Sequence, residues 1–126
     1  TSKASTRDFI SVIISRGDYP TGGYTIQVES FSMLETRPLD LPPSSPTILR
    51  FDVNFTDPGE GVMVTEAFTN PLVLVPIGNL GAGKYVVEVH IGRFILTYDA
   101  SGKPVYTLVQ TLVEEVWKES FEIMEE

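Results

Sequence analysis

Ile48-Leu49-Arg50-Phe51-Asp52-Val53-Asn54-Phe55 alternates without a break, with Leu49, Phe51, Val53 and Phe55 on one side and Arg50, Asp52 and Asn54 on the other. A period of two puts successive side chains on opposite faces of a pleated strand, so this segment reads as a half-buried strand of an antiparallel sheet. Tyr24-Thr25-Ile26-Gln27-Val28-Glu29 repeats the pattern, with Tyr24, Ile26 and Val28 on the apolar face. Phe9-Ile10-Ser11-Val12-Ile13-Ile14 is short and β-branched, and it stops at Gly17-Asp18. Further strands are expected over residues 62–68, 72–75 and 85–91, and a hairpin from Phe94 to Val109 around Asp99-Ala100-Ser101-Gly102-Lys103. Residues 36–46 hold Pro38, Pro42, Pro43 and Pro46, which confines them to a loop or an edge. Many short strands with frequent turn signals describe an all-β sandwich or barrel.

The C-terminal stretch breaks this rhythm. Val109, Leu112, Val113, Val116, Trp117, Phe121 and Met124 recur at three and four residues, the spacing of one helix face, and Glu114 and Lys118 stand four apart. The spacing predicts a C-terminal amphipathic helix, with a long final strand as its competitor because Val, Trp and Phe also favour sheets.

The 126 residues suffice for one domain, and 42% apolar and 21% charged residues are those of a globular chain. The expected division is a single β-sandwich over 1–126, with 1–7 a disordered tail and 92–126 an added hairpin and helix. Thr1-Ser2-Lys3-Ala4-Ser5-Thr6 reads as the start of a mature fragment. A net charge of −8, with nine basic residues and no two of them adjacent, argues against nucleic acid, whose phosphates need clustered cations. No apolar run has the length of a membrane span. The absence of cysteine removes disulfides and thiolate chemistry.

Chemistry-bearing motifs are few. Gly78-Asn79-Leu80-Gly81-Ala82-Gly83-Lys84-Tyr85 approaches a phosphate-binding loop, but Tyr85 stands where a hydroxyl must reach Mg²⁺, and a strand follows where a helix should. Arg16-Gly17-Asp18 is an integrin-type tripeptide and Asn54-Phe55-Thr56 a glycosylation acceptor pattern; neither assigns a function by itself. His90 is the one histidine, set within a strand, and the glutamates after residue 113 read as a solvated face. No catalytic residue, metal ligand or cofactor is assigned. Tyr19-Pro20-Thr21-Gly22-Gly23-Tyr24 carries the clearest signal: Pro20 presets a turn, Gly22 and Gly23 permit positive φ, and a strand starts at Tyr24. Such a turn either presents two tyrosines as interface anchors or packs Tyr24 inward.

Several of these segments, in this order, resemble the C-terminal domain of the protease complex subunit PrcB family. The apolar strand Ile10 to Ile14, then Pro20-Thr21-Gly22-Gly23-Tyr24, the strand Leu49 to Phe55, Asp57-Pro58-Gly59-Glu60-Gly61, and Val62-Met63-Val64-Thr65-Glu66-Ala67-Phe68-Thr69-Asn70-Pro71 follow the family's pattern from about Phe9 to Ile77. The first loop is also similar to the Asn-Pro-Thr-Thr-Gly-Tyr signature of chagasin-like cysteine protease inhibitors, with Tyr19 and Gly22 as departures. Those inhibitors' Arg-Pro-Trp loop has no counterpart in the right place. The resemblances imply an immunoglobulin-like antiparallel β-sandwich with functional loops at one end, formed by Tyr19, Pro20, Thr21, Gly22, Gly23 and Tyr24, and by Pro58, Gly59, Glu60 and Gly61 after Asp57. They imply a non-catalytic module that binds a protein, namely a protease, as subunit or inhibitor, in a secreted or cell-surface setting. The alternative is a structural or carbohydrate-binding β domain of a surface protein; against the latter, the sole tryptophan, Trp117, belongs to the apolar stripe.

Overall fold

The computed structural model describes residues 2–35, 45–109 and 113–125. Eight strands follow in chain order: β1 (Ser2–Ser5), β2 (Phe9–Ser15), β3 (Thr25–Glu35), β4 (Thr47–Pro58), β5 (Leu72–Asn79), β6 (Gly83–Tyr98), β7 (Pro104–Leu108) and β8 (Glu115–Met124). Six of them form one sheet in the order β1-β8-β6-β4-β3, with β7 also on β6; β2 and β5 form a second, antiparallel sheet.

The alternating octet lies in β4, in the middle of the large sheet. Its apolar side is buried as the period-two pattern requires: Leu49, Phe51, Val53 and Phe55 are all at most 2% exposed. Ile14 from the small sheet, Leu80 between β5 and β6, Tyr85, Val89 and Ile91 from β6 and Ile123 from β8 complete the core, with Ile10, Val12, Val73, Val75 and Ile77 packed against it. The opposite face of β4 is a polar network. Ser30 Oγ donates to Asp52 at 2.9 Å, Arg50 pairs with Asp52 at 3.0 Å, and Asn54 donates to Glu29 at 2.6 Å. Hydrogen bonding to Arg50 is the main cause that holds the Asp52 carboxyl below its usual range.

The sheet is mixed rather than purely antiparallel, which corrects the expectation. β4 runs antiparallel to β3 but parallel to β6, and β1 runs parallel to β8. Parallel neighbours need a crossover, because a tight hairpin cannot return the chain to the same direction. Here the crossover is β5: the chain leaves β4, forms a strand in the other sheet and comes back as β6.

Four further expectations change. No C-terminal helix forms; residues 115–124 are strand β8, paired with β6 over nine residues from Gly83↔Ile123 to Ile91↔Glu115. The three-and-four spacing loses because cross-strand partners supply what a helix face would have supplied. Phe121 stacks on Tyr85 with centroids 5.2 Å apart, Trp117 lies opposite Val89, and the inward set becomes Trp117, Phe121 and Ile123. Residues 110–112 of the expected helix lie outside the described residues. The expected tail is instead β1, whose Ala4 packs against the core. The two strands expected around residues 85–98 are one 16-residue strand, β6, and residues 62–68 form no strand. The proline-rich loop lies outside the described residues as far as residue 44. The hairpin from β6 to β7 is as expected: Asp99 accepts from Ser101 N at 2.9 Å, Ser101 Oγ at 2.7 Å and Lys103 N at 3.0 Å, which lowers its pKa.

A candidate protein-binding end

The two loops singled out in the sequence meet at the end of the molecule where β2 and β4 finish, and an arginine joins them. Arg16 follows the last residue of β2, and its side chain is only 1% exposed. Nη1 donates to the carbonyls of Thr25 at 2.8 Å and Thr56 at 3.0 Å, and Nη2 is bound to the carboxylate of Asp57. The guanidinium therefore ties the start of β3 to the end of β4. Its Nε makes no hydrogen bond among the described residues. The cation also faces three rings: its central carbon is 4.6 Å from the centroid of Phe55, 5.1 Å from Tyr19 and 5.7 Å from Tyr24. A desolvated guanidinium over aromatic faces is favourable by up to ~2 kcal/mol. Tyr19 and Tyr24 stack on each other with centroids 4.1 Å apart. Both tyrosines are thus half-buried around Arg16, and they fix the loop's shape as much as they offer a surface.

The 19–24 loop is fastened on its other side by the segment that follows the 57–61 turn. Tyr19 and Thr69 exchange both main-chain bonds (2.8 and 2.9 Å), Gly22 N donates to Thr65 O at 2.8 Å, and Thr69 Oγ1 donates to Thr21 O at 2.8 Å. Residues 62–70 thus work as a strap rather than as the strand expected from their composition. Two glycines make the close packing possible. Gly23 has φ of +92°, and a β-carbon on it would stand 2.7 Å from Val64 Cγ1 and 3.1 Å from Pro58. Gly59 donates to Leu96 O at 2.7 Å, and a β-carbon there would meet that same carbonyl oxygen at 2.6 Å. Pro58 of the second loop consequently sits beside Gly23 of the first.

Sequence reading placed Tyr19, Pro20, Thr21, Gly22, Gly23, Tyr24, Pro58, Gly59, Glu60 and Gly61 here. The fold brings the two groups together, with Pro20, Gly23, Glu60 and Gly61 exposed and Tyr19, Thr21, Gly22, Tyr24, Pro58 and Gly59 partly covered. Sequence reading missed Arg16, which it saw only within Arg16-Gly17-Asp18; with its side chain buried, that arginine is not presented to a receptor. It also missed Met63 and Phe68 on the strap, which are 97% and 86% exposed. A second arginine braces the same end. Arg93 lies 5.3 Å from the Phe55 centroid and forks onto Glu115 at 2.6 and 2.9 Å. The Glu115 bond raises the Arg93 pKa, and Arg93 lowers that of Glu115.

The near-match to a phosphate loop falls between β5 and β6, and Lys84-Tyr85 opens a strand with no helix N-terminus to hold phosphate. Asn54 and Thr56 flank the buried Phe55 in a central strand, and the Asn54 side chain is held by Glu29. His90 lies on the polar face of β6, with Nδ1 2.9 Å from Glu114 and Nε2 3.0 Å from Glu88. Those two hydrogen bonds, Glu114 first, raise its pKa.

No curated protein and no solved structure matches the chain. Among protein families, residues 10–77 match the one described as PrcB C-terminal, a span that runs from β2 through β5 and takes in both loops and the strap. With more than half of its 126 residues inside that match, the chain belongs to the PrcB C-terminal family.

Proposed function

We propose that this chain is a non-catalytic module that binds a protease, as a subunit or inhibitor-like partner, and that it does so through the 19–24 and 57–61 loops. Family membership supports a protease complex as the setting; a secreted or cell-surface location is part of the same proposal. The observation that carries the choice of surface is the interlocking of the two loops by Arg16 and by the 62–70 strap, next to the outward-facing Met63 and Phe68. A surface held in one shape binds at a lower entropic cost than one ordered on contact, and exposed apolar side chains beside it are the kind of anchor a partner covers. Pro20 and Glu60 add exposed groups at the same end.

The test is co-purification with the protease encoded in the source organism's own complex, comparing the wild type with Met63→Ser/Phe68→Ser and with Pro20→Glu/Glu60→Lys. All four positions are open to solvent, so the variants should unfold at the wild-type denaturant midpoint. Loss of the protease from both variants supports the reading. Equal recovery by both would move the contact elsewhere.

A further inference from the structure

Gly61-Val62-Met63-Val64-Thr65 has the burial of a strand: Val62 and Val64 are half-buried, while Gly61, Met63 and Thr65 are exposed. That period of two belongs to extended backbone. What the segment lacks is a ladder. It is pinned at its two ends, where Val62 N donates to Gly59 O at 3.2 Å and Thr65 O accepts from Gly22 N at 2.8 Å. Between those points the N–H and C=O groups of Met63 and Val64 make no hydrogen bond among the described residues. Val64 packs against Gly23, and Met63 beside it is 97% exposed. The segment is thus held at both ends and on one side, and its apex offers free main-chain groups and one long apolar side chain to solvent.

We infer that residues 61–65 are a substrate-like loop: they lie in a protease's cleft as a bound peptide would, with Met63 in the primary specificity pocket of an enzyme that accepts large apolar side chains. The inference rests on the reading that this chain meets a protease, and it names the side chain that the enzyme takes. Three observations select this occupant. A cleft that binds peptides pairs with extended main chain and reads a side chain in a shaped pocket, and the apex leaves both of these free. The pinned ends remove most of the ordering cost that a flexible peptide pays on binding. Cutting between Met63 and Val64 would not release the pieces. Hydrolysis adds one water across that bond, leaving a carboxylate on Met63 and an ammonium group on Val64. The bond from Val62 to Gly59 still holds the first end, and those from Gly22 to Thr65 and between Tyr19 and Thr69 hold the second. A product that stays in place occupies the cleft, which makes an inhibitor of a substrate. Phe68 is 86% exposed but not equivalent, because its neighbour Thr69 gives both main-chain groups to Tyr19.

The probes are chymotrypsin, whose primary pocket is an apolar slot, and trypsin, whose pocket holds a carboxylate. Each is assayed on a chromogenic peptide with the whole chain added. Expected are saturable, competitive inhibition of chymotrypsin, slow cleavage confined to the Met63–Val64 bond by mass spectrometry, and no inhibition of trypsin. Met63→Lys should exchange these preferences, Met63→Asp should weaken chymotrypsin inhibition at least about thirtyfold, and Phe68→Lys should change neither. Both positions are open to solvent, so the variants should unfold at the wild-type denaturant midpoint. No saturable inhibition, rapid cleavage elsewhere in the chain, or equal inhibition by Met63→Asp would overturn the inference. Co-purification from the source organism separates this failure from that of the loop reading. Recovery of the protease by the wild type alone supports both. Recovery by the wild type and Met63→Asp alike overturns the substrate-like loop and leaves the loop reading standing, whereas recovery by neither overturns both.

Discussion

One strand, β2, borders two regions built on opposite principles. Its C-terminal end is densely connected: Arg16 spans Thr25, Thr56 and Asp57, two stacked tyrosines lie against it, and the strap bonds the loop from the far side. Along its free edge an apolar trough lies open, bounded by Trp117 and Phe121 and paired to no strand among the described residues. The first region obtains its rigidity from buried polar contacts, which are costly to break and specific in geometry. The second is held only by packing on one side, so it tolerates change. In this molecule an exposed apolar side chain carries different meanings in the two places. Met63 stands on a fixed support, and Trp117 stands over a gap.

Of the changes in these two regions, the largest expected effect breaks the first. Arg16→Met removes the donors to two carbonyls and the cation between three rings, and should cost about 3 kcal/mol in urea unfolding. Arg16→Lys should restore little of this, because a single ammonium cannot reproduce a planar fork that reaches both carbonyls and Asp57. Full stability in Arg16→Lys would show that charge matters more than geometry. Next come the two glycines of the second loop. Gly59→Ala drives a β-carbon onto the Leu96 carbonyl oxygen, a main-chain atom that cannot rotate away, and about 2 kcal/mol is expected. Gly61 has φ of +81° but nothing near its β-position, so Gly61→Ala should cost only about 1 kcal/mol of backbone strain. Reversed order in thermal unfolding would mean that the turn, and not the approach of β4 to β6, limits this end.

How much of this was open to sequence reading follows from where the interactions lie along the chain. The alternation around Phe51 was legible because it is local: each residue's face is set by its parity, whatever its neighbours. The turn at Gly22-Gly23 was legible for the same reason. The strand β8 was not, because adjacent apolar residues such as Val116 and Trp117 obscure the parity, and what fixes the conformation is pairing with β6, about thirty residues earlier in the chain. Arg16 was equally hidden. Its acceptors are nine, forty and forty-one residues away, and an arginine after an apolar strand gives no sign that it will be buried. The loops could be found from the sequence, but the arginine that joins them could not.

The open region should respond more gently. Trp117→Leu keeps an apolar side chain over the trough and loses the edge contact with Phe55, so about 1 kcal/mol is expected, against 3–5 kcal/mol for Phe51→Ala in the closed core. A cost for Trp117→Leu approaching that of the core substitution would mean that the trough closes in solution. That result would bring the two regions closer together than the structure places them.

The smallest effect lies on the polar face of the large sheet, away from both regions, and serves as their reference. His90 on β6 is held between Glu88 and Glu114, with Arg50 near enough to oppose its charge and Asp52 opposite it on β4. The glutamates outweigh Arg50 and burial, so the folded pKa stands above the ordinary value of 6.5. A raised folded pKa means that the native state binds the proton more tightly than the unfolded chain does. The resulting stability is therefore complete below the unfolded pKa and fades as pH rises through the folded one. Glu114 is well exposed and water screens the pair, so the contribution should be small, visible as a decline in unfolding midpoint on the alkaline side of pH 6.5. His90→Gln should flatten that decline without moving either loop variant's cost relative to its own parent. If the decline persisted in His90→Gln, the pH sensitivity would have to come from a group other than this imidazole, and its hydrogen bonds to Glu88 and Glu114 would carry no proton-linked stability.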